Sequence, residues 1–224
     1  MKNTMRHALA DIIAPHYCCR CGTIGSLLCD LCFHELTDEI VFHCPMCKQP
    51  HMSGHCQTCT APYDAAWCAL ERSGAIETLI NRYKFERTQS AAQPLARLLH
   101  ATTPSLPPDT IIVPIPTIAA HVRQRGYDHC VLLAKQFATH RQLIYTNLLR
   151  RNHESIQRGA TRQQRLDQMK HAFRCTQPLS VKHTYCIIDD VATTGATISA
   201  ATHALHRAGA RSVIAAIVAY QPVS

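Results

Sequence analysis

Tyr185-Cys186-Ile187-Ile188-Asp189-Asp190-Val191-Ala192-Thr193-Thr194-Gly195-Ala196-Thr197 is the stretch on which the fold turns. The apolar run Tyr185–Ile188 predicts a buried strand, and it ends in two carboxylates. A Thr/Gly loop follows and opens a helix, Ala196–Ala208, with Gly209 as its C-terminal stop. Free backbone N–H groups at a helix start, helped by the helix dipole, favour a phosphate. Gly195 lets the backbone approach such a group closely, and Thr193, Thr194 and Thr197 bring hydroxyl donors. Asp189 and Asp190 sit at the carboxyl end of a strand, where ligands bind in open α/β sheets, and carboxylates suit the two hydroxyls of a ribose. A plain strand–turn–helix would gain nothing from placing two like charges side by side. The Gly-Lys-Ser/Thr ending of a Walker A loop is absent, as is a dinucleotide fingerprint.

Outward from this stretch, strands and helices alternate. Ala66–Glu71 and Thr110–Val113 are expected strands, the second stopped by Pro114 and Pro116. Ala75–Tyr83, Gln89–Ala101 and Asp128–Thr139 carry apolar residues at helical spacing. Arg162–His171 is expected to be a charged helix or an ordered loop, and Val213–Tyr220 a second buried strand. Continuous apolar strands alternating with helices predict an α/β fold, a parallel sheet covered by helices on both faces.

The front of the chain is different. Ten of the thirteen cysteines precede residue 70, and eight form four C-x-x-C pairs: Cys18/Cys21, Cys29/Cys32, Cys44/Cys47 and Cys56/Cys59. Two intervening residues let both sulfurs of a pair reach one metal, and structural zinc takes four such ligands. Two sequential Cys₄ zinc sites are the simplest assignment; interleaved pairing, or substitution by His43, His51 or His55, stays open. Closed ligation leaves no position for water, so the expected role is structural. The domains are then 1–62, a double zinc-ribbon module, and 63–224, the α/β domain. At 224 residues the chain suits one domain plus such an appendage.

Charge is unevenly spread. Of the net +8, residues 1–65 contribute four Lys/Arg against six Asp/Glu, whereas His121–Arg174 holds eleven basic residues and three acidic ones. A concentrated positive field attracts phosphates, on a small ligand or on a nucleic acid. No apolar run approaches the ~20 residues of a membrane helix and no signal peptide is readable, so the expected location is the cytoplasm, without membrane insertion.

The stretch Asp189–Thr197 resembles the phosphoribosyl-diphosphate signature of type I phosphoribosyltransferases, two acids followed by T-T-G-x-T. The chain as a whole resembles the ComF family of competence-associated, amidophosphoribosyltransferase-like proteins with an N-terminal double zinc ribbon. Leu79-Ile80-Asn81-Arg82-Tyr83-Lys84-Phe85 is similar to its Y-K-F segment. Val113-Pro114-Ile115-Pro116 and Arg123-Gln124-Arg125-Gly126-Tyr127-Asp128-His129 resemble its V-P-x-P and R-G-F-N-Q elements. Arg150, Gln157, Arg165 and Phe173 follow its R…Q…R…F spacing. Asp128, His129 and Gln168 depart from its usual Asn, Gln and Asn. The resemblance implies that phosphoribosyl diphosphate binds with Mg²⁺ at Asp189, Asp190, Val191, Ala192, Thr193, Thr194, Gly195, Ala196 and Thr197, assisted by Arg125 and Lys84. If the chain is a catalyst, Asp189, Asp190 and Arg125 are its catalytic candidates. It also implies a role in natural transformation, handling incoming single-stranded DNA with competence and recombination proteins. Arg123, Arg125, Arg150 and Arg165 are the candidates for nucleic-acid or phosphate contact. The alternative is an orthodox phosphoribosyltransferase that transfers ribose 5-phosphate to a nitrogen acceptor in nucleotide metabolism.

Overall fold

The structure is a computed structural model, and it describes residues 16–152 and 172–222. Its centre is a five-stranded sheet in the order β3 (Ala65–Glu71), β9 (Ser212–Tyr220), β8 (Thr184–Ala192), β4 (Ile111–Pro114) and β5 (Ile144–Tyr145). Every neighbouring pair is parallel. Side chains alternate between the faces of a strand, so each central strand feeds two cores. Cys186, Ile188, Ile214, Ala216 and Val218 pack on one side with Ile80, Leu95 and Phe137. These three come from helices α2 (Gly74–Phe85), α3 (Ala92–Ala101) and α5 (His129–Arg141). Tyr185, Ile187, Val213, Ala215 and Ile217 pack on the other side with Ile198, Ala201 and Leu205 of helix α6 (Ala196–Arg207). The α/β fold with both faces covered is as expected.

Several elements differ from the sequence expectation for identifiable reasons. The segment from Gln89 begins as a 3-10 turn, Gln89–Ala91, and becomes α-helical only at Ala92. This places Pro94 in the first turn, where a missing N–H costs no intrahelical bond. Strand β8 runs four residues past Ile188, because β9 continues to pair with it as far as Ala192↔Tyr220. Not foreseen were helix α1 (Asp30–Thr37), helix α4 (Ala119–Arg125), strand β5, and the antiparallel pair β6 (Leu149–Arg151) with β7 (Phe173–Cys175). Gly126, at φ +86°, ends α4 in the left-handed region that favours glycine. The two-residue strands β1 (Phe42–His43) and β2 (Pro50–His51) pair within the cysteine-rich segment. The expected Arg162–His171 element, with Gln157, Arg165 and Gln168, lies outside the described residues. No described helix is long and apolar enough to cross a membrane.

Candidate functional site: a charged cleft and two cysteine clusters

Lys84, Arg125, Asp189, Asp190, Val191 and Thr197 converge on one cleft of about 370 Å³ at the carboxyl edge of the sheet. Each comes from a different local cause. Lys84 lies in the last turn of α2, Arg125 in the last turn of α4, and the two acids lie inside β8. Consecutive strand residues project to opposite faces, so Asp189 and Asp190 acquire different partners. Asp190 is 2% exposed and binds Nζ of Lys84 at 2.8 Å. Its Oδ2 lies 3.2 Å from Nε2 of His129. Asp189 Oδ1 instead accepts from the amide of Asp190 at 2.9 Å and from the Cys130 thiol at 3.5 Å.

These surroundings drive the two carboxyls apart. Burial, then the neighbouring Asp190 charge, push Asp189 up to about 7, against the opposing pull of Lys84. Burial also penalises the Asp190 charge, but Lys84 and His129 outweigh it and hold that carboxyl well below the usual range. Lys84 is correspondingly raised, its pairing with Asp190 overcoming burial. One acid is thus fixed as an anion inside an ion pair, while the other keeps its proton to higher pH. Such a split is characteristic of binding and catalytic carboxylates.

A short hydrogen-bonded chain organises the cationic side. Arg125 Nη1 donates to Nδ1 of His129 at 2.8 Å. Guanidinium only donates, so Nδ1 is the bare nitrogen and Nε2 carries the hydrogen on the side of Asp190. The Arg125 guanidinium also lies 5.6 Å from the centroid of the Phe85 ring. Asp128 caps α5 through the amide of Val131 at 3.2 Å and accepts from Thr117 at 2.8 Å.

The remaining loop residues are placed differently. Thr193 and Thr194 are exposed, and Ala192, Gly195 and Ala196 do not line the cleft. Gly195, at φ +74°, is the N-cap of α6. A Cβ there would fall 2.5 Å from Sδ of Met46 and 2.8 Å from the carbonyl of Pro45.

Of the nucleic-acid candidates, Arg123 and Arg150 are brought together, but Arg125 is not with them. They line a neighbouring groove of about 1070 Å³ together with Arg151 and Arg174. The last two were not singled out in the sequence; they belong to β6 and β7, strands too short to leave a period. Pro116, Thr117, Ile118 and Arg151 line both the cleft and the groove. Arg165 lies outside the described residues.

The eight paired cysteines form two clusters, Cys18/Cys21/Cys29/Cys32 and Cys44/Cys47/Cys56/Cys59, each with its four sulfurs within 4.8 Å of one another. Pairing is therefore sequential. The interleaved arrangement is not formed, and His43, His51 and His55 belong to neither cluster. Closest S···S separations run from 3.5 to 3.7 Å, near the ~3.8 Å edge of a tetrahedron with Zn–S of ~2.3 Å. Backbone amides point at the sulfurs of Cys18, Cys44 and Cys56. Although burial opposes it, amide hydrogen bonds hold the Cys18 and Cys56 thiols down to about 6. The two clusters could hold zinc.

No family model matches the chain. Among curated proteins it is similar to DNA utilization protein YhgH of Escherichia coli strain K12, 29% identical over 83% of this chain and 87% of that one. It is similar to Competence protein F of Haemophilus influenzae, 26% identical over 71% of this chain and 75% of that one. Competence protein ComFC of Streptococcus pneumoniae is 25% identical over 83% and 82%. Among solved structures, a chain described as the allosteric regulatory enzyme of purine biosynthesis superposes with a TM-score of 0.46 at 15% identity. That match covers 62% of this chain and 30% of the other.

Proposed function

We propose, from the premise that its homologues support the ComF family for this chain, that the protein binds phosphoribosyl diphosphate with Mg²⁺ and acts in natural transformation. The observation that carries this reading is the split carboxylate pair, buried at the mouth of a cleft that also holds Arg125 and leads to the first turn of α6. Asp189 is the acid placed to accept from ribose hydroxyls. Asp190 anchors Lys84 and so keeps a positive charge beside the sugar site. Arg125 is the donor for the diphosphate, and Thr197 with the first α6 amides suits the 5′-phosphate. The bond of Lys84 to Asp190 favours a role as the carboxylate's counter-charge rather than as a diphosphate ligand.

The donor set fits a hard divalent ion. Asp190 Oδ2 is buried with Nε2 of His129 as its nearest polar contact, and Asp189 lines the same cleft. Such oxygens, with those of the diphosphate, suit Mg²⁺, which when bound neutralises charge on the leaving diphosphate. In a transfer reaction the C1–oxygen bond to diphosphate breaks as a nitrogen acceptor bonds to C1. Asp189 would offset positive charge developing at the ribose ring while Arg125 holds the departing anion. Zinc belongs to the two cysteine clusters as a structural ion. A boundary near residue 62, between the metal module and the ligand domain, is part of the same proposal.

The relatives' names speak of DNA utilization and competence; with the groove of Arg123, Arg150, Arg151 and Arg174 and the family resemblance, they support our reading of cytoplasmic handling of single-stranded DNA alongside competence and recombination proteins. Four arginines on one open surface suit a phosphate backbone and carry no sequence code. Replacing Asp189→Asn together with Asp190→Asn is expected to abolish Mg²⁺-dependent binding of phosphoribosyl diphosphate in equilibrium dialysis. Unchanged binding by that variant would refute the cleft assignment.

A further inference from the structure

The second cysteine cluster is fastened to the edge of the sheet from which the phosphate loop departs. Met46 and Pro45, the two residues between ligands Cys44 and Cys47, lie against Gly195 so closely that a Cβ there would overlap both. Lys48, the residue after Cys47, reaches back across the sheet edge. Its Nζ donates to the carbonyl of Pro45 at 2.6 Å and to that of Ala192, the last residue of β8, at 3.2 Å. Lys48 holds this position with φ +64°, a conformation costly for a side-chain-bearing residue. The ring of His43, next to Cys44, stacks on Tyr220 with centroids 4.3 Å apart. Tyr220 ends β9 and is the register partner of Ala192. Tyr63 OH lies 3.5 Å from the sulfur of Cys44.

The first cluster has a different neighbourhood. Cys18, Leu27, Cys32 and Phe33 join the core under α2 and α3, and Arg97 pairs with Asp30 at that end. Among the described residues none of its contacts reaches Thr193–Thr197.

We infer that the second cluster is the outer wall of the phosphate loop, with Met46 and Lys48 as positioning residues, so that metal occupancy at Cys44/Cys47/Cys56/Cys59 and anion occupancy of the loop are linked. The physical route is short. Metal fixes the turn Cys44–Lys48; the turn fixes the carbonyl of Ala192 and the face of Gly195; these set where the amides of Thr193 to Thr197 point. Without metal the turn keeps the Cys44–Gln49 and Lys48–Cys44 backbone bonds, the Met46 amide on the Cys44 sulfur and the Lys48 side-chain bonds, but loses its tie to Cys56 and Cys59. A positive charge on the Ala192 carbonyl also polarises the following peptide, making the Thr193 N–H a stronger donor. Linkage is reciprocal: an anion that requires the ordered loop must tighten the metal that orders it.

This inference rests on the loop's being an anion site, so its first test needs no ligand. Hydrogen exchange of the zinc-loaded full chain is compared with Cys56→Ser, Cys29→Ser and Lys48→Met, with exchange in β9 reporting that the sheet is intact. Exchange at Ser199 and Gln221, whose amides donate to the loop carbonyls of Gly195 and Ala192, should rise at least tenfold in Cys56→Ser and several-fold in Lys48→Met, and remain unchanged in Cys29→Ser. Equal protection in Cys56→Ser and Cys29→Ser, or no change in Lys48→Met, would overturn it. A second arm follows zinc release to a chromogenic chelator with and without Mg²⁺ and phosphoribosyl diphosphate. One zinc of the two should leave about fivefold more slowly with ligand present, and Lys48→Met should lose that protection. Ligand that binds by dialysis yet leaves both release rates unaltered contradicts the linkage. Ligand that does not bind the wild type contradicts the function proposed above and leaves the exchange result to decide the wall.

Discussion

The cleft and the arginine groove share a wall at Pro116–Ile118 and Arg151, yet they handle charge in opposite ways. In the cleft, the lysine, Arg125 and both acids have internal partners. Asp190 holds Lys84, Arg125 donates to His129, and Asp189 accepts from Cys130 and from its neighbour's amide. In the groove, Arg123, Arg150 and Arg174 form no salt bridge among the described residues, and Asp128, the carboxylate that also lines it, is engaged with Thr117 and the Val131 amide. Buried, internally compensated charge suits a small ligand that must exchange its own contacts for those already present. Uncompensated charge on an open surface suits a polyanion whose affinity depends on counterion release. The distinction teaches that the chain's basic excess is two things: a scaffold of pairs around the acids and a separate field beside them.

The largest effect that could break this comparison belongs to Asp190. Asp190→Ala strands Lys84 in a largely buried position, and urea unfolding should show a loss of about 3–5 kcal/mol, the usual cost of orphaning one member of a buried pair. Adding Lys84→Met to that variant should recover much of the loss. A loss below about 1 kcal/mol would mean the pair is solvated, and the cleft no different from the groove.

Asp189 gives the next effect, with the opposite sign. Its carboxyl titrates near 7 in the folded protein and near 4 when unfolded. Folding therefore retains a proton between those values, and stability falls as pH rises from about 4 to about 7. Asp189→Asn should raise the thermal midpoint at pH 8 by several degrees, on a scale of ~2–4 °C per kcal/mol. The gain should shrink toward pH 4, where both states of the wild type carry the proton. A variant less stable than wild type at pH 8 would show that the acid is compensated in the ligand-free protein.

Asp128 separates the cleft's support from its chemistry. Asp128→Ala removes the α5 cap and should cost ~1 kcal/mol in urea unfolding; no loss would show that the cap is idle. The groove yields the smallest change in stability and a different readout. Arg150→Ala and Arg174→Ala should each alter stability by less than ~0.5 kcal/mol. Each should also lower the slope of log affinity for single-stranded DNA against log salt by about 1. A flat salt response in the wild type would remove the groove from the account.

Much of this was legible before any coordinates. The strand–loop–helix at Tyr185–Thr197 announces itself because its apolar run, acids and Thr/Gly turn are contiguous. The C-x-x-C pairs do so because their spacing is a ligand geometry, and sequential pairing follows the shorter loops. What remained hidden depends on contacts between distant residues. Nothing local to Lys84 says that it faces Asp190, 106 positions later in the numbering, and nothing local to Met46 and Lys48 says that they back Gly195 and Ala192. That Asp189 and Asp190 part to opposite faces was implicit in strand geometry, but only once β8 is known to extend past Ile188. Arg151 and Arg174 sit in three-residue strands, whose length gives periodicity nothing to act on.

The measurement that bears most directly on the central claim is a calorimetric titration of the zinc-loaded chain with phosphoribosyl diphosphate, with and without Mg²⁺, in two buffers of different ionisation enthalpy at pH 7. Saturable binding that requires Mg²⁺ and releases part of a proton from Asp189 is the predicted result, the proton vanishing in Asp189→Asn. Absence of binding by the wild type, or binding indifferent to both Mg²⁺ and Asp189, would contradict the account.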